Sequence, residues 1–481
     1  MITTILIFFP IVAGIAMLFI PARSMRIFGI SAIAVAIIEL GLWLGLLAKF
    51  DFGRAGLQQG MEVTWFDDLG VAFKVGLYDF STWLVGLTII VMLSAMVYAL
   101  WDGRKRARAY FSLLLILLGS TIGVFVSQDL LLFYVFFEAM LIPLYILVGV
   151  WGGAQRQIAT IKLLLYTLAG SLLMLIAIVA FGLQQGTFDL TKMGSNQSTW
   201  IFLGFMIAFA IKAPLWPFHG WLPDAYRQAP PEISALLSGV ISKTATFGVL
   251  RIVLPSFPEP VAEFQNTILA LAAIGLLYSS LLAFRQPDFR GVIAYSSIGQ
   301  MCLIFIGLFA LTDSGIGGGM FQMINHGLVS AALFLLAGVI ENRTGTNEFR
   351  FLGGMARGRP LLATTLLLAG VIALAVPGSS VFAGEFLILN GVFPIGWGWA
   401  VAGTIGIIIA ALYMLRAISA TLHGDIGSAV PAKARDLRLC EIGAIIPLIA
   451  ILIVLSVWPA AITGNQFTGK PVDAITKRFE P

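Results

Sequence analysis

Residues 361–389 read LLATTLLLAGVIALAVPGSSVFAGEFLIL, and this stretch decides the fold class. Its first sixteen residues, Leu361–Val376, carry no charge and no alternation of apolar with polar positions. Crossing a ~30 Å hydrocarbon core takes about 20 apolar residues of helix. Without water, a spanning backbone must be either a helix or part of a closed barrel. Barrel strands alternate with period two. This run does not, and neither does Ile268–Ala283 (ILALAAIGLLYSSLLA), so the spans are helical. The run then breaks at Val376-Pro377-Gly378-Ser379, and Gly384 precedes an acid, Glu385. Irregular backbone at membrane depth is tolerated only where protein or water surrounds it. The plain alternative is an ordinary proline kink.

Outward from this stretch the same texture continues. The 481 residues are 59% hydrophobic and 11% charged, with a mean hydropathy of +0.97; soluble domains are about 25% charged. We expect an all-α polytopic membrane protein of about fourteen spans: 2–20, 27–48, 80–101, 110–127, 130–150, 162–183, 200–222, 231–254, 265–284, 291–311, 318–341, 361–391, 394–420 and 442–462. The first has no basic leader and no small-residue cleavage site, so it is expected to be retained. The net charge of +5 is no nucleic-acid signal, because the basic residues are scattered over short loops. Cys302 and Cys440 have no metal-ligand spacing, and the chain has no GxGxxG after a strand, P-loop or CxxC, so no cofactor or metal is expected on it.

Lys and Arg in alternate loops set the orientation. One set holds eighteen: Arg23, Arg26, Arg104, Lys105, Arg106, Arg108, Arg156, Lys162, Arg227, Arg285, Arg290, Arg343, Arg350, Arg357, Arg359, Lys433, Arg435 and Arg438. The other set holds five: Lys49, Arg54, Lys74, Lys192 and Arg251. The first set is expected on the cytoplasmic side, with both termini opposite. Lys470, Lys477 and Arg478 fall in the C-terminal tail.

Ionisable residues also lie inside spans: Glu39, Glu138, Lys212, Lys243, His326, Glu385 and Arg416. A charge at the bilayer centre costs about 2.5–3.5 kcal/mol on insertion scales unless protein or water surrounds it. Any one of these residues could be a paired packing group. Glu39 reads as structural or headgroup-linked, and Arg416 as a snorkelling or capping residue. Glu138, Lys212, Lys243, His326 and Glu385, on five helices, fit a proton relay, because burial disfavours the charged form of a lysine and lets it pass a proton on. Lys212 also borders a break, since Pro214 and Pro217 free the carbonyls of Ala210 and Ala213. Lys212 and Glu385 are 173 residues apart, and Phe247–Arg251 (FGVLR) parallels Leu412–Arg416 (LYMLR) at an offset of 165. This predicts two inverted five-helix repeats with broken helices 7 and 12. The divisions are 1–105, 106–256, 257–425 and 426–481.

The chain resembles the antiporter-like membrane subunits of respiratory complex I, NADH:quinone oxidoreductase. The resemblance rests on Leu130–Tyr145 (LLLFYVFFEAMLIPLY), Ala210–Tyr226 (AIKAPLWPFHGWLPDAY), Ala229–Arg251 (APPEISALLSGVISKTATFGVLR), Asp288–Gln300 (DFRGVIAYSSIGQ), Ile324–Phe334 (INHGLVSAALF), Pro377–Leu389 (PGSSVFAGEFLIL) and Tyr413–Arg416 (YMLR). Glu385, in place of a lysine in the twelfth span, is the pattern of the M-type subunits. The resemblance implies that Glu138 and Lys212 form a gating pair. Lys243 would bridge the halves, His326 would continue the axis and Glu385 would end it. It also implies proton translocation driven by partner subunits that hold NADH, FMN, Fe–S clusters and quinone. The implied partners are sister membrane subunits, lipids, water and protons in a bacterial inner membrane, with both termini periplasmic. One departure stands out: Gln300 occupies the place of the family's histidine, and an amide cannot titrate. The rival readings are a Na+/H+ antiporter subunit, which Glu385 argues against, and an inactive membrane scaffold.

Overall fold

A computed structural model describes residues 1–21, 24–54, 56–66, 68, 70–431, 435–460 and 462. Arg23, Lys433, Lys470, Lys477 and Arg478, used in the charge reading above, lie outside the described residues.

Among the described residues, twelve helices are long and apolar enough to cross a membrane: Ile2–Phe19, Arg26–Leu47, Asp79–Asp102, Ala107–Val126, Leu130–Trp151, Arg156–Gln185, Pro231–Ser256, Pro258–Arg285, Phe289–Phe309, Asp313–Thr344, Trp397–Leu422 and Leu439–Val457. The two remaining expected spans are interrupted. Thr199–Lys212 ends at the first break and the chain resumes as the short helix Leu222–Gln228, while Pro360–Ala373 is followed by Ser380–Val392. The expectation of about fourteen crossings therefore rests on counting each interrupted segment as one.

Local chemistry sets the boundaries. Asp129 caps its helix by accepting from the backbone N–H groups of Leu131 and Leu132, and Asp288, Thr312 and Ser379 do the same for Gly291, Gly315 and Phe382. Gly103 and Gly186 end helices in the left-handed conformation, at φ 75° and 67°, which a side chain would disfavour.

Among the described residues, the helical expectation has one exception. Residues between the second and third spans form an antiparallel hairpin, Gln58–Phe66 with Val71–Leu77, that pairs Glu62 with Lys74. Several basic residues counted with the loops lie in helices, most at their ends; Lys162 within Arg156–Gln185 and Arg251 within Pro231–Ser256 lie further in. Arg251 is held there by Gln128 Oε1 at 2.8 Å and by the face of Tyr78.

The centre of the molecule is Pro231–Ser256 and Asp313–Thr344, buried throughout their most apolar windows. They pack through glycine: Gly239 and Gly327 face each other so closely that a Cβ on Gly327 would lie 2.6 Å from the Gly239 carbonyl. Polar side chains carried by these two helices therefore meet protein, not lipid.

Candidate functional site: a buried polar axis

The five expected relay residues divide into two groups. Lys212 is 4% exposed at the C-terminal end of Thr199–Lys212. Its ammonium lies 4.6 Å from the centre of the Phe137 ring, a cation–π contact. Glu138, next to Phe137 in the helix Leu130–Trp151, is half-buried. No oxygen of Glu138 lies within 4.0 Å of the Lys212 nitrogen. The surroundings are aromatic. Phe209 packs edge-on against Phe133 and Phe137 and stacks with Phe205, and a Cβ on Gly248 would strike Phe209 at 2.3 Å.

The break beside Lys212 is repaired locally. The Leu215 N–H takes the Ala210 carbonyl at 2.8 Å, and the Trp221 indole donates to the Ile211 carbonyl at 2.9 Å. Ala210, expected to be freed by Pro214, thus keeps a partner.

The other group is continuous. Lys243 is fully buried, and its Nζ contacts the Ser238 carbonyl and, at 2.7 Å, His326 Nδ1. The helix carrying it widens into π-helical turns at Leu237–Ile241 and Val249–Val253, on either side of the stretch that begins at Lys243. Such turns often mark functional sites, and here the first one aims the Ser238 carbonyl at the lysine. The Ser238 hydroxyl meets the Ser297 hydroxyl at 2.9 Å.

Beyond His326 lies a cavity of about 20 Å³, lined among others by Ser296, Ser297, Gln300, Gln322, His326 and Ser330. That is room for about one water. From it, Gln322 Nε2 donates to Gln300 Oε1 at 2.7 Å, and Gln300 Nε2 donates to Glu385 Oε1 at 2.8 Å. Glu385 is 2% exposed. Its second oxygen, Gln322 Oε1 and the Ser380 hydroxyl are buried without a protein partner.

The second break makes this approach possible. Pro377 and Gly378 end the preceding helix, and Ser379 caps the next one, which carries Glu385 on its second turn. The break is pinned by Ser380 N–H to Ser456 Oγ at 2.8 Å and by Asn325 Nδ2 to the Ser380 carbonyl at 2.8 Å. Gly384 lets Gln322 come close, since a Cβ there would lie 2.5 Å from Gln322 Oε1.

Glu39 and Arg416 stay apart from the axis. Glu39 is fully buried, with neither carboxylate oxygen hydrogen-bonded. Arg416 donates to the carbonyls of Phe284 and Gln286, as a capping residue would.

Sequence reasoning missed Gln322, which joins Gln300 to the cavity, and Glu232. Glu232 is 0% exposed; it accepts Arg104 Nε and Nη2 at 2.7 and 2.8 Å and the Tyr110 hydroxyl at 2.5 Å. A Pro-Pro-Glu helix start was its only signal in the sequence. Among the described residues, no three of His, Cys, Asp and Glu gather into a metal-holding group.

Residues 127–410 match the family described as NADH:quinone oxidoreductase/Mrp antiporter, TM. The NADH-quinone oxidoreductase subunit M of Rickettsia bellii is 37% identical over 87% of this chain and 86% of its own. The subunit M of Rhodobacter capsulatus is 36% identical over 90% and 87%. The chain also superposes on a chain of respiratory complex I from Thermus thermophilus with a TM-score of 0.90, at 29% identity and full coverage of both. A chain of the Mrp complex from Dietzia sp. shares the fold at TM-score 0.88 and 20% identity, over 98% and 99%. By profile, relatives and fold together, this chain belongs to the NADH:quinone oxidoreductase/Mrp antiporter transmembrane family and groups there with the proteins named subunit M.

Proposed function

We propose that the chain is the proton-translocating subunit M of a respiratory NADH:quinone oxidoreductase, with Glu138, Lys212, Lys243, His326 and Glu385 as its relay. The observation that carries this reading is the buried polar line Lys243–His326–cavity–Gln322–Gln300–Glu385. Ionisable groups at membrane depth are expensive and tend to mark ion pathways. The redox groups, namely NADH, FMN, Fe–S clusters and quinone, would belong to partner subunits, and sister antiporter-like subunits and lipids would flank the chain. We place it in a bacterial inner membrane with the arginine-rich loops cytoplasmic and both termini periplasmic. The two interrupted segments then count as crossings 7 and 12 of fourteen, within inverted repeats at 106–256 and 257–425.

In this scheme Glu138 ionises and holds Lys212 charged while the two are paired. With the pair apart and the ammonium against Phe137, Lys212 gives up its proton, which water carries to Lys243. One hydrogen bond separates Lys243 from His326 Nδ1. A water in the cavity beyond, held by the Gln322 and Gln300 amides, would take the proton from His326, and a further water bonded to Gln322 Oε1, the Ser380 hydroxyl and the second oxygen of Glu385, all without a protein partner, would pass it to Glu385, which releases it outward. Gln300 cannot carry charge, but it can order that water and hold one oxygen of Glu385. Because the groups act on one another, their titration belongs to the set.

The test is Glu138→Gln in inverted membrane vesicles, with proton uptake measured per NADH oxidised. The scheme expects a clear fall in that ratio or in both rates together. An unchanged ratio at unchanged rate contradicts it, and loss of Na+/H+ exchange with NADH oxidation intact would favour the antiporter reading.

A further inference from the structure

The helix Pro231–Ser256 has two π-helical turns, and the relay uses only the first. The second, Val249–Val253, has Arg251 at its centre. Such turns often mark functional sites. Arg251 lies eight residues beyond Lys243, about 12 Å further along the helix.

Its Nη2 donates to Gln128 Oε1 at 2.8 Å and to the Tyr78 hydroxyl at 3.3 Å, with the guanidinium 4.5 Å from the centre of the Tyr78 ring. Its Nε is buried without a partner. Among the described residues, no carboxylate lies within 4.0 Å of it. Two acids of the surrounding loops are engaged elsewhere: Asp189 by Lys74 at 2.7 Å, and Asp129 by the N–H groups of Leu131 and Leu132. A guanidinium cannot be deprotonated in a protein, so a fixed cation without a paired acid stands at this end of the helix.

The second repeat builds the same knot. Around Gln128, the Leu190 N–H takes the Gln128 carbonyl and the Leu130 N–H takes the Phe188 carbonyl, each at 2.9 Å. Every partner recurs 159 residues on (128 to 287, 188 to 347): Phe349 N–H takes the Pro287 carbonyl and Phe289 N–H the Asn347 carbonyl, at 2.9 and 3.0 Å. Arg416 fastens that second knot as Arg251 fastens the first. Arg416, however, donates to carbonyls at the C-terminal end of Pro258–Arg285, whose dipole offsets its charge. Arg251 meets an amide and a phenol, which hold it without offsetting its charge.

Between Lys243 and Arg251 the helix carries Phe247, packed edge-on against Phe125 at 5.2 Å. A proton on Lys243 has two ways on: through His326 into the second repeat, or straight outward past Phe247. The aromatic pair keeps the short way dry, and a fixed arginine repels a second charge there.

We propose that Arg251 is a charged plug at the outer end of the first repeat, so that protons reaching Lys243 leave only through the second. A clasp for the loops would need only donors, whereas a plug needs the charge. The proposal rests on the relay reading, in which Lys243 carries protons.

The test measures passive proton entry into liposomes holding the intact complex, without NADH, under a potassium diffusion potential set by valinomycin. Arg251→Gln should raise this leak about tenfold, the Coulomb effect of one charge at ~12 Å in a medium of ε about 20. Adding Lys243→Met should abolish the leak. Arg251→Lys keeps the charge and should stay within about twofold of wild type. If Arg251→Gln does not assemble, Gln128→Glu sets a carboxylate against the guanidinium and should leak in the same way. Equal leaks in the Gln and Lys variants would make Arg251 a clasp only and overturn the plug. A leak that survives Lys243→Met, or no leak from an assembled Arg251→Gln or Gln128→Glu, would overturn it as well. NADH-driven uptake by Lys243→Met tests the relay separately. Uptake near wild type there removes the relay and the plug with it, whereas lost uptake there beside a leak-free Arg251→Gln overturns the plug alone.

Discussion

The two halves of the buried axis are built from different materials. Around Lys212 the neighbours are aromatic rings, and no hydrogen bond joins the lysine to Glu138 or to Lys243. From Lys243 onward, serines, amides and an imidazole lead through a one-water cavity to Glu385. The first half is suited to switching, because a cation in a dry aromatic site is stable only while something pays for its charge. The second half would suit conduction, because its serines and amides can order water between the groups that titrate, Lys243, His326 and Glu385.

The largest expected effect comes from breaking the junction of the halves. Lys243→Met removes the partner of His326 and should lower NADH-driven proton uptake by on the order of 100-fold, the low end of what a positioned proton-transfer group contributes. Proton uptake near the wild-type rate, with the complex assembled, would show that the halves do not communicate through Lys243.

Substitutions at Gln300 sharpen the description of the second half. Gln300→Leu leaves Glu385 Oε1 and the Gln322 amide without partners and should destabilise the protein by about 1–3 kcal/mol, with proton uptake reduced. Gln300→His keeps a donor and an acceptor and should retain uptake to within about twofold. If Leu serves as well as His, the amide plays no part in conduction. Thermal melting and uptake on the same preparations separate the two effects.

The smallest effect lies outside the axis. Asp189 ties the loop at 186–198 to the hairpin through Lys74 at 2.7 Å and also accepts from Thr191. Burial raises the Asp189 pKa, but the bonds from Lys74 and Thr191 outweigh it and hold the carboxyl below its usual range. A depressed carboxyl stabilises above its unfolded pKa, and the contribution is lost as pH falls through the folded value. Asp189→Asn should therefore cost about 1 kcal/mol at neutral pH, and its melting curve should converge with wild type in acid.

Much of this was legible in the sequence, for physical reasons. Hydropathy marks span edges because the bilayer imposes a length, and the helices found at Ala107–Val126, Phe289–Phe309 and Trp397–Leu422 begin and end within three residues of those expected. Prolines mark the breaks because they cannot donate. What escaped depends on contacts between distant segments. Lys243 and His326 are 83 residues apart, and the π-helical turn that presents the Ser238 carbonyl to the lysine has no composition signal. Scattered cations became a cavity only when the loops at 103–106 and 149–156 came together. Arg251 was counted with the loop after the expected span 231–254 although it falls inside that span, and the partners that hold it there, Gln128 and Tyr78, lie far away in the chain.

The central claim is that Lys212 gates a path which the second half conducts. The most direct measurement is Lys212→Met in native inverted membrane vesicles, with NADH-driven quinone reduction and proton uptake recorded together. The account predicts that both fall while the complex still assembles. Quinone reduction and proton uptake both at wild-type levels in the assembled variant would contradict it.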